Sequence, residues 1–240
     1  MSATILRVAG VSKWFDGFAA LTDIDLSLGK GERVGLIGPN GSGKSTLVNC
    51  FAGIITPESG SITFDGADIT KMPAWLRAKH GLARTYQIPR PFGSMTVKEN
   101  IEVPLRFAAG HTLAHTISDQ ARLILDRVGL ADKADLSPKV LTQVELRKLE
   151  LGRALAARPK VLIADEVMAG LSDSEVDEIL ALLRWLNGQG ITVLLIEHIM
   201  RAVMMFSQRI VVIVAGCKIA DGLPDDVMQQ DEVERAYLGE

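Results

Sequence analysis

Gly38-Pro39-Asn40-Gly41-Ser42-Gly43-Lys44-Ser45-Thr46 has the form G-x-x-x-x-G-K-[ST], and that form dictates what must flank it. The apolar run Val34-Gly35-Leu36-Ile37 comes before it and reads as a strand covered on both faces. A helix is expected after it, from about Gly43 to Ala52. Between the two, glycines let the backbone curl so that successive N–H groups point inward. The helix N-terminus adds free N–H groups and its dipole. Such a loop cradles an anion, with Lys44 reaching β- and γ-phosphates and the Ser45 hydroxyl placed for Mg²⁺. A chance glycine-rich turn would not satisfy so many fixed positions between a strand and a helix.

Val161-Leu162-Ile163-Ala164-Asp165-Glu166 reads as a second buried strand, ending in two carboxylates. Ligands in open α/β sheets sit at such strand ends. Asp165 is expected to hold Mg²⁺ through its waters, and Glu166 to polarise an attacking water as general base. Further strands are expected around Ile24–Leu28, at Ile62 and Phe64, at 191–196 and at 210–214. Helices are expected from the capping box Thr96-Val97-Lys98-Glu99, over 117–128, over 142–157 and over 174–186. Strand–helix alternation at both ends with helices between them describes an α/β core carrying a helical insertion.

Composition narrows the function. The chain has 240 residues, enough for a large core without staples. With 48% hydrophobic and 23% charged residues it is not a disordered chain. Its 26 basic and 29 acidic side chains argue against nucleic-acid binding by phosphate neutralisation. Cys50 and Cys217 form no disulfide framework and are expected to be buried thiols in a reducing compartment. The start, 1–7, lacks a basic cluster followed by an apolar stretch. The longest apolar run, 210–217, is too short to span a bilayer. A cytosolic chain is expected, held at a membrane only through a partner.

In the order of these motifs the chain resembles the nucleotide-binding subunit of an ATP-binding cassette (ABC) transporter, over essentially its whole length. The resemblance implies an α/β P-loop cassette: a RecA-like core with an antiparallel β subdomain at 1–87 and 158–240, and an inserted helical subdomain at 88–157. It implies ATP and Mg²⁺ as cofactors. Gln87, in Arg84-Thr85-Tyr86-Gln87, matches the glutamine that joins Mg²⁺, senses the γ-phosphate and hinges the helical insertion. His198, after Ile196-Glu197, matches the switch histidine on the γ-phosphate. Phe15 matches the aromatic that stacks on adenine, with Trp14 next in line and core packing the alternative for either ring.

The pattern departs at the signature loop, which in the family reads close to Leu-Ser-Gly-Gly-Gln and caps the γ-phosphate on the opposite subunit. Here it is Leu141-Thr142-Gln143-Val144-Glu145. Thr142 keeps a hydroxyl for the nucleotide, while Gln143 and Val144 carry Cβ atoms where glycine permits close approach. Thr142 and Glu145 also form a capping box. A weakened cap and a working variant are both open. Val167 replaces a common proline, and Ser172 falls where the family often has Asp, with Asp173 one residue on. His111 and His115 lack a third zinc ligand and are expected to be exposed in a variable loop. Met200, Met204 and Met205 read as a packing stripe.

The tail, Ala220-Asp221-Gly222-Leu223-Pro224 and 231–240, resembles cassettes of importers for branched-chain and other hydrophobic amino acids, a subfamily shared with urea and amide importers. That implies a second cassette (the same or a related one), two membrane-spanning permease subunits, an extracytoplasmic substrate-binding protein, and a peripheral place at the cytoplasmic face of the inner membrane. A lipid or lipopolysaccharide export cassette is the alternative within the class. A non-transport ATP-dependent clamp on ribosomes or DNA is the alternative outside it, without the second cassette, coiled coil or basic arms usual there. A binding-only subunit conflicts with the presence of Glu166 and His198.

Overall fold

The structure, a computed structural model, describes residues 3–108 and 114–238. It opens with a hairpin of two long strands, β1 (Thr4–Phe15) and β2 (Phe18–Gly29). Phe15 pairs with Phe18, so Asp16-Gly17 makes a two-residue turn with φ of 47° and 85°, the left-handed pair that suits the strand twist. Then come β3 (Arg33–Ile37), α1 (Lys44–Ala52), β4 (Ser59–Phe64), β5 (Ala67–Asp68), α2 (Ala74–Lys79) and β6 (Leu82–Arg84). Three helices follow: α3 (Val97–Phe107), α4 (Ala114–Arg127) and α5 (Gln143–Ala156). The chain returns through β7 (Val161–Asp165), α6 (Asp173–Gly188), β8 (Thr192–Ile196), α7 (Met200–Phe206), β9 (Arg209–Val214), β10 (Cys217–Gly222), α8 (Pro224–Met228) and α9 (Asp231–Leu238).

Among the described residues the strands form two sheets. One is antiparallel, in the order β2-β1-β4-β5. The other runs β10-β9-β3-β8-β7-β6, parallel except for the β10 edge. β3 and β7 therefore end on the same edge of one parallel sheet, with β8 between them. Side chains alternate across that sheet as a period of two requires. Leu162, Ala164, Val193 and Leu195 pack with α3–α6, whereas Val161, Ile163, Leu194 and Ile196 pack with α1 and the antiparallel sheet. Both faces are covered, which is why these strands are apolar throughout.

β1 was not among the expected strands. Register shifts after Thr4, Val8, Val11 and Lys13 break the alternation on which recognition depends. The other differences are local. Cys50 is buried, and burial pushes its thiol up to about 11, but Cys217 is exposed, at the start of the edge strand β10. Met200 and Met204 pack against the core while Met205 is exposed, because the one-turn spacing faces inward only once. His111 and the His115 side chain lie outside the described residues, but the His115 backbone belongs to α4 rather than to a loop.

Candidate functional site

β3 ends at Ile37, and the chain turns through Gly38–Gly43 into α1. Gly38 has φ 154°, and a Cβ there would lie 2.0 Å from the Ile213 carbonyl oxygen, so only glycine lets the loop start this close to β9. Gly43 precedes α1 with φ 105°, and a Cβ would come within 2.6 Å of the Ala20 carbonyl. α1 has no side-chain cap and no acidic residue in its first turn, so its N-terminal N–H groups are left for an anion. Lys44 Nζ donates to the Gly38 and Pro39 carbonyls at 2.7 and 2.9 Å, which holds it across the loop. Burial lowers the Lys44 pKa, and the Glu166 and Asp165 charges work against that shift. Ser42 is buried, while Ser45, Asn40 and Gly41 are exposed and Pro39 and Thr46 half-buried.

Asp165, the last residue of β7, is buried and pairs with Arg84 Nη2 at 2.8 Å. Arg84 also donates to Asn49 Oδ1 on α1 at 2.6 Å, so it spans from the loop's helix to this carboxylate. Glu166 follows in a left-handed conformation, φ 47°. Gln87 Nε2 donates to Glu166 Oε2 at 2.5 Å, which brings those two expected residues together. His198 is exposed just beyond the end of β8. Glu197 beside it is buried, accepts the Met168 N–H at 2.9 Å, and is pushed up by burial. Phe15 and Trp14 close β1 and are 45% and 42% exposed, so neither is a core ring. The Lys13 ammonium sits 5.1 Å from the Phe15 ring centroid.

Thr142 is the N-cap of α5: the Glu145 N–H donates to its hydroxyl, and Glu145 accepts the Thr142 N–H at 2.9 Å. It is exposed, and among the described residues no side-chain hydrogen bond joins it to the phosphate loop of its own chain. Ser172 caps α6, its N–H donating to Glu175 at 2.8 Å. Asp173 is exposed on the first turn of α6, 4.0 Å from Arg201.

Sequence reasoning did not find the grip that α5 has on the Gln87 segment. Glu150 accepts the Tyr86 and Arg90 N–H groups at 3.0 and 3.1 Å. Arg147 donates to the Tyr86 and Gln87 carbonyls, and Arg153 to the Arg90 carbonyl at 2.8 Å. The available signal was three charged residues spaced by three on the inward face of a helix, Arg147 and Glu150 among the buried ones. Beside this grip lies an apolar groove between α2, α3 and α5, lined by Ile54, Ala78, Tyr86, Phe92 and Phe107.

The comparisons agree with this geometry. The chain is 38% identical to the high-affinity branched-chain amino acid transport ATP-binding protein BraF of Pseudomonas aeruginosa over 254 aligned positions, covering all of both chains. Its structure matches the ADP conformation of MJ1267, an ATP-binding cassette of an ABC transporter, with a TM-score of 0.88 and 29% identity over all of both chains. It also matches the dimeric post-hydrolysis state of the cassette MJ0796 bound to ADP and Pi, with a TM-score of 0.82 and 25% identity over 92% of this chain and 99% of that one. The family model for the ABC transporter matches residues 21–169. With a phosphate loop and an acidic strand end on one sheet edge, and relatives at this identity over its full length, the chain belongs to the ABC transporter family and is an ATP-binding, ATP-hydrolysing cassette.

Proposed function

We propose that this chain drives an importer of branched-chain amino acids or related amides, from the cytoplasmic face of the membrane. One observation carries the reading. The phosphate loop and the Asp165–Glu166 end of β7 share an edge of one parallel sheet, in a chain resembling branched-chain amino acid cassettes from end to end.

The residues divide the work. Backbone N–H groups of Gly38-Pro39-Asn40-Gly41-Ser42-Gly43-Lys44-Ser45-Thr46 wrap the phosphates, and Lys44 exchanges its carbonyl partners for phosphate oxygens. Phe15, exposed at the end of β1, offers its face to adenine. Glu166 takes the proton of the attacking water as that water adds to the γ-phosphorus and the bond to the β-phosphate oxygen breaks. Gln87 holds the Glu166 carboxylate ready. His198 meets the γ-phosphate. The Ser45 hydroxyl, the Asp165 carboxylate and the Gln87 carboxamide are hard oxygen donors of the kind Mg²⁺ takes. Mg²⁺ held by these donors would supply positive charge against the phosphates. Arg84 holds Asp165 in place until then.

Two cassettes face each other, each offering Thr142 and its α5 N-terminus to the nucleotide on the other. The helical residues 88–157 form the mobile unit against 1–87 and 158–240. Two permease subunits insert short helices into the apolar groove beside Gln87, and an extracytoplasmic binding protein delivers the substrate. The grip of Arg147, Glu150 and Arg153 on 86–90 joins that groove to the Gln87 segment.

The test is light scattering on Glu166→Gln with Mg-ATP. Removing the base traps ATP, so the mass should double with Mg-ATP and not with Mg-ADP. Failure to bind ATP at all overturns the reading. ATP binding without a dimer overturns a homodimer and leaves a related cassette as the partner.

A further inference from the structure

Gln143 is the first residue of α5, and its side chain leaves the helix instead of joining the capping box. Its Nε2 donates to the Ala169 carbonyl at 3.0 Å. The same amide lies against Gly170, φ 77°, where a Cβ would come within 2.8 Å of Nε2. Residues 166–171 form a tight turn. The Ala169 N–H donates to the Glu166 carbonyl at 3.4 Å and the Leu171 N–H to the Met168 carbonyl at 3.2 Å. From the core side, the Ile196 carbonyl accepts the Glu166 N–H at 2.9 Å and Glu197 accepts the Met168 N–H at 2.9 Å. Glu166 itself sits at φ 47°, a conformation that a non-glycine residue keeps only where its surroundings over-determine it. How the turn is closed therefore decides where this carboxylate points.

Gln143 reaches that turn from the helical side. A glycine at this position, as in the pattern the chain otherwise resembles, has no side chain to make the bond. Farther along the same helix, Lys148 pairs with Glu178 of α6 at 2.6 Å, so α5 is tied both to the turn and to the helix that follows it.

We propose that the Gln143 carboxamide is a positioning clasp that ties the Glu166 turn to the N-terminus of α5, so that displacement of α5 is passed to the catalytic carboxylate of the same chain. This rests on the proposed function, in which Glu166 acts on its own chain's ATP while the α5 N-terminus faces the partner cassette's nucleotide. What α5 meets across the interface then reaches the Glu166 turn through the Gln143 side chain, a route separate from the Arg147 hold on the Gln87 segment. Ser172, just beyond the turn, donates its N–H and hydroxyl to Glu175 in capping α6.

The experiment uses the full chain with Gln143→Ala and with Gln143→Glu, which keeps the reach but replaces the donor with an acceptor. Amide hydrogen exchange without nucleotide should quicken over 167–172 in both variants and stay at the wild-type rate over 146–156. ATP turnover should fall about fivefold in kcat, the effect of one neutral hydrogen bond, with KM within about twofold. Binding of a fluorescent ATP analogue should not change. Unaltered exchange over 167–172 overturns the clasp. Quickened exchange with unaltered kcat overturns the transmission. A loss of analogue binding equal to the loss of kcat reduces Gln143 to a structural residue and overturns the proposal. If the wild-type chain hydrolyses no ATP, the proposed function fails instead, and the exchange rates still decide whether the clasp exists.

Discussion

Glu166 and Glu197 are two carboxylates a strand apart with opposite surroundings. Glu166 is half-buried, in a hydrogen bond from Gln87, with its backbone held left-handed. Glu166→Gln keeps that partner and removes the base. Steady-state turnover should fall by about 10²–10⁴-fold while ATP still binds, as assays of phosphate release and nucleotide binding will show. Glu197 is 1% exposed, and its second oxygen has no hydrogen-bond partner among the described residues. Burial raises its pKa above the ordinary 4.5, with the nearby Glu166 charge adding to the rise and His198 and two backbone N–H groups opposing it. Between 4.5 and the raised value, the folded chain binds a proton that the unfolded chain has lost. Stability contributed here is therefore present in acid, lost as pH rises through that window, and absent above it. Glu197→Gln still accepts the Met168 N–H and carries no charge. It should melt at a higher temperature than wild type at pH 8, with the gap shrinking toward pH 4.5 in scanning calorimetry.

Helices are joined here by buried charges as much as by apolar faces. Arg77 of α2 is 1% exposed and faces no carboxylate within salt-bridge range among the described residues. Its guanidinium instead donates to the carbonyls of Cys50, Phe51, Met72 and Thr70 at 2.6 to 3.1 Å. Two of these are carbonyls of the last turn of α1, of which that of Cys50 also accepts the Gly53 N–H at 3.3 Å. Its positive charge also suits that negative helix end. Arg77→Met should cost about 3 kcal/mol, since it orphans buried carbonyls rather than one contact, and urea unfolding checks this. No periodicity scan finds such a residue, because a charge inside an apolar pattern reads as a solvated face. The same holds for Arg147, Glu150 and Arg153. By contrast, β3, α1, β7 and the capping boxes at Thr96 and Thr142 were legible, because run length, glycine spacing and side-chain chemistry there all act locally. β1 was not, because bulges hide its alternation. The hydrogen bond from Gln143 to Ala169 was not either: it joins residues 26 apart that only the packing of α5 on the β7 turn brings together.

Across the whole molecule, exposed apolar side chains are spread over several elements, and some of them meet at one groove. Ile54, Trp75, Tyr86, Ile88, Phe92 and Phe107 are all exposed, and several line the groove between α2, α3 and α5. Apolar surface gathered at a groove marks a place where another molecule binds. No local sequence pattern outlines this groove, since its walls come from segments as far apart as Ala52 and Ala157. A short helix suits such a groove, its apolar side chains filling the space between Phe92 and Phe107. Phe107→Asp puts a charge at that wall, at the C-terminal end of α3 and away from the phosphate loop. Folding and the ATP-dependent dimer of Glu166→Gln should then be retained. Recovery of the membrane subunits with this chain from solubilised membranes should be lost, and with it amino acid uptake by cells carrying the variant. Retained recovery with lost uptake would place Phe107 in the motion that follows docking rather than in docking itself. Retention of both would move the permease contact away from this groove, and the Arg147–Glu150–Arg153 grip on the Gln87 segment would then have no surface to report on.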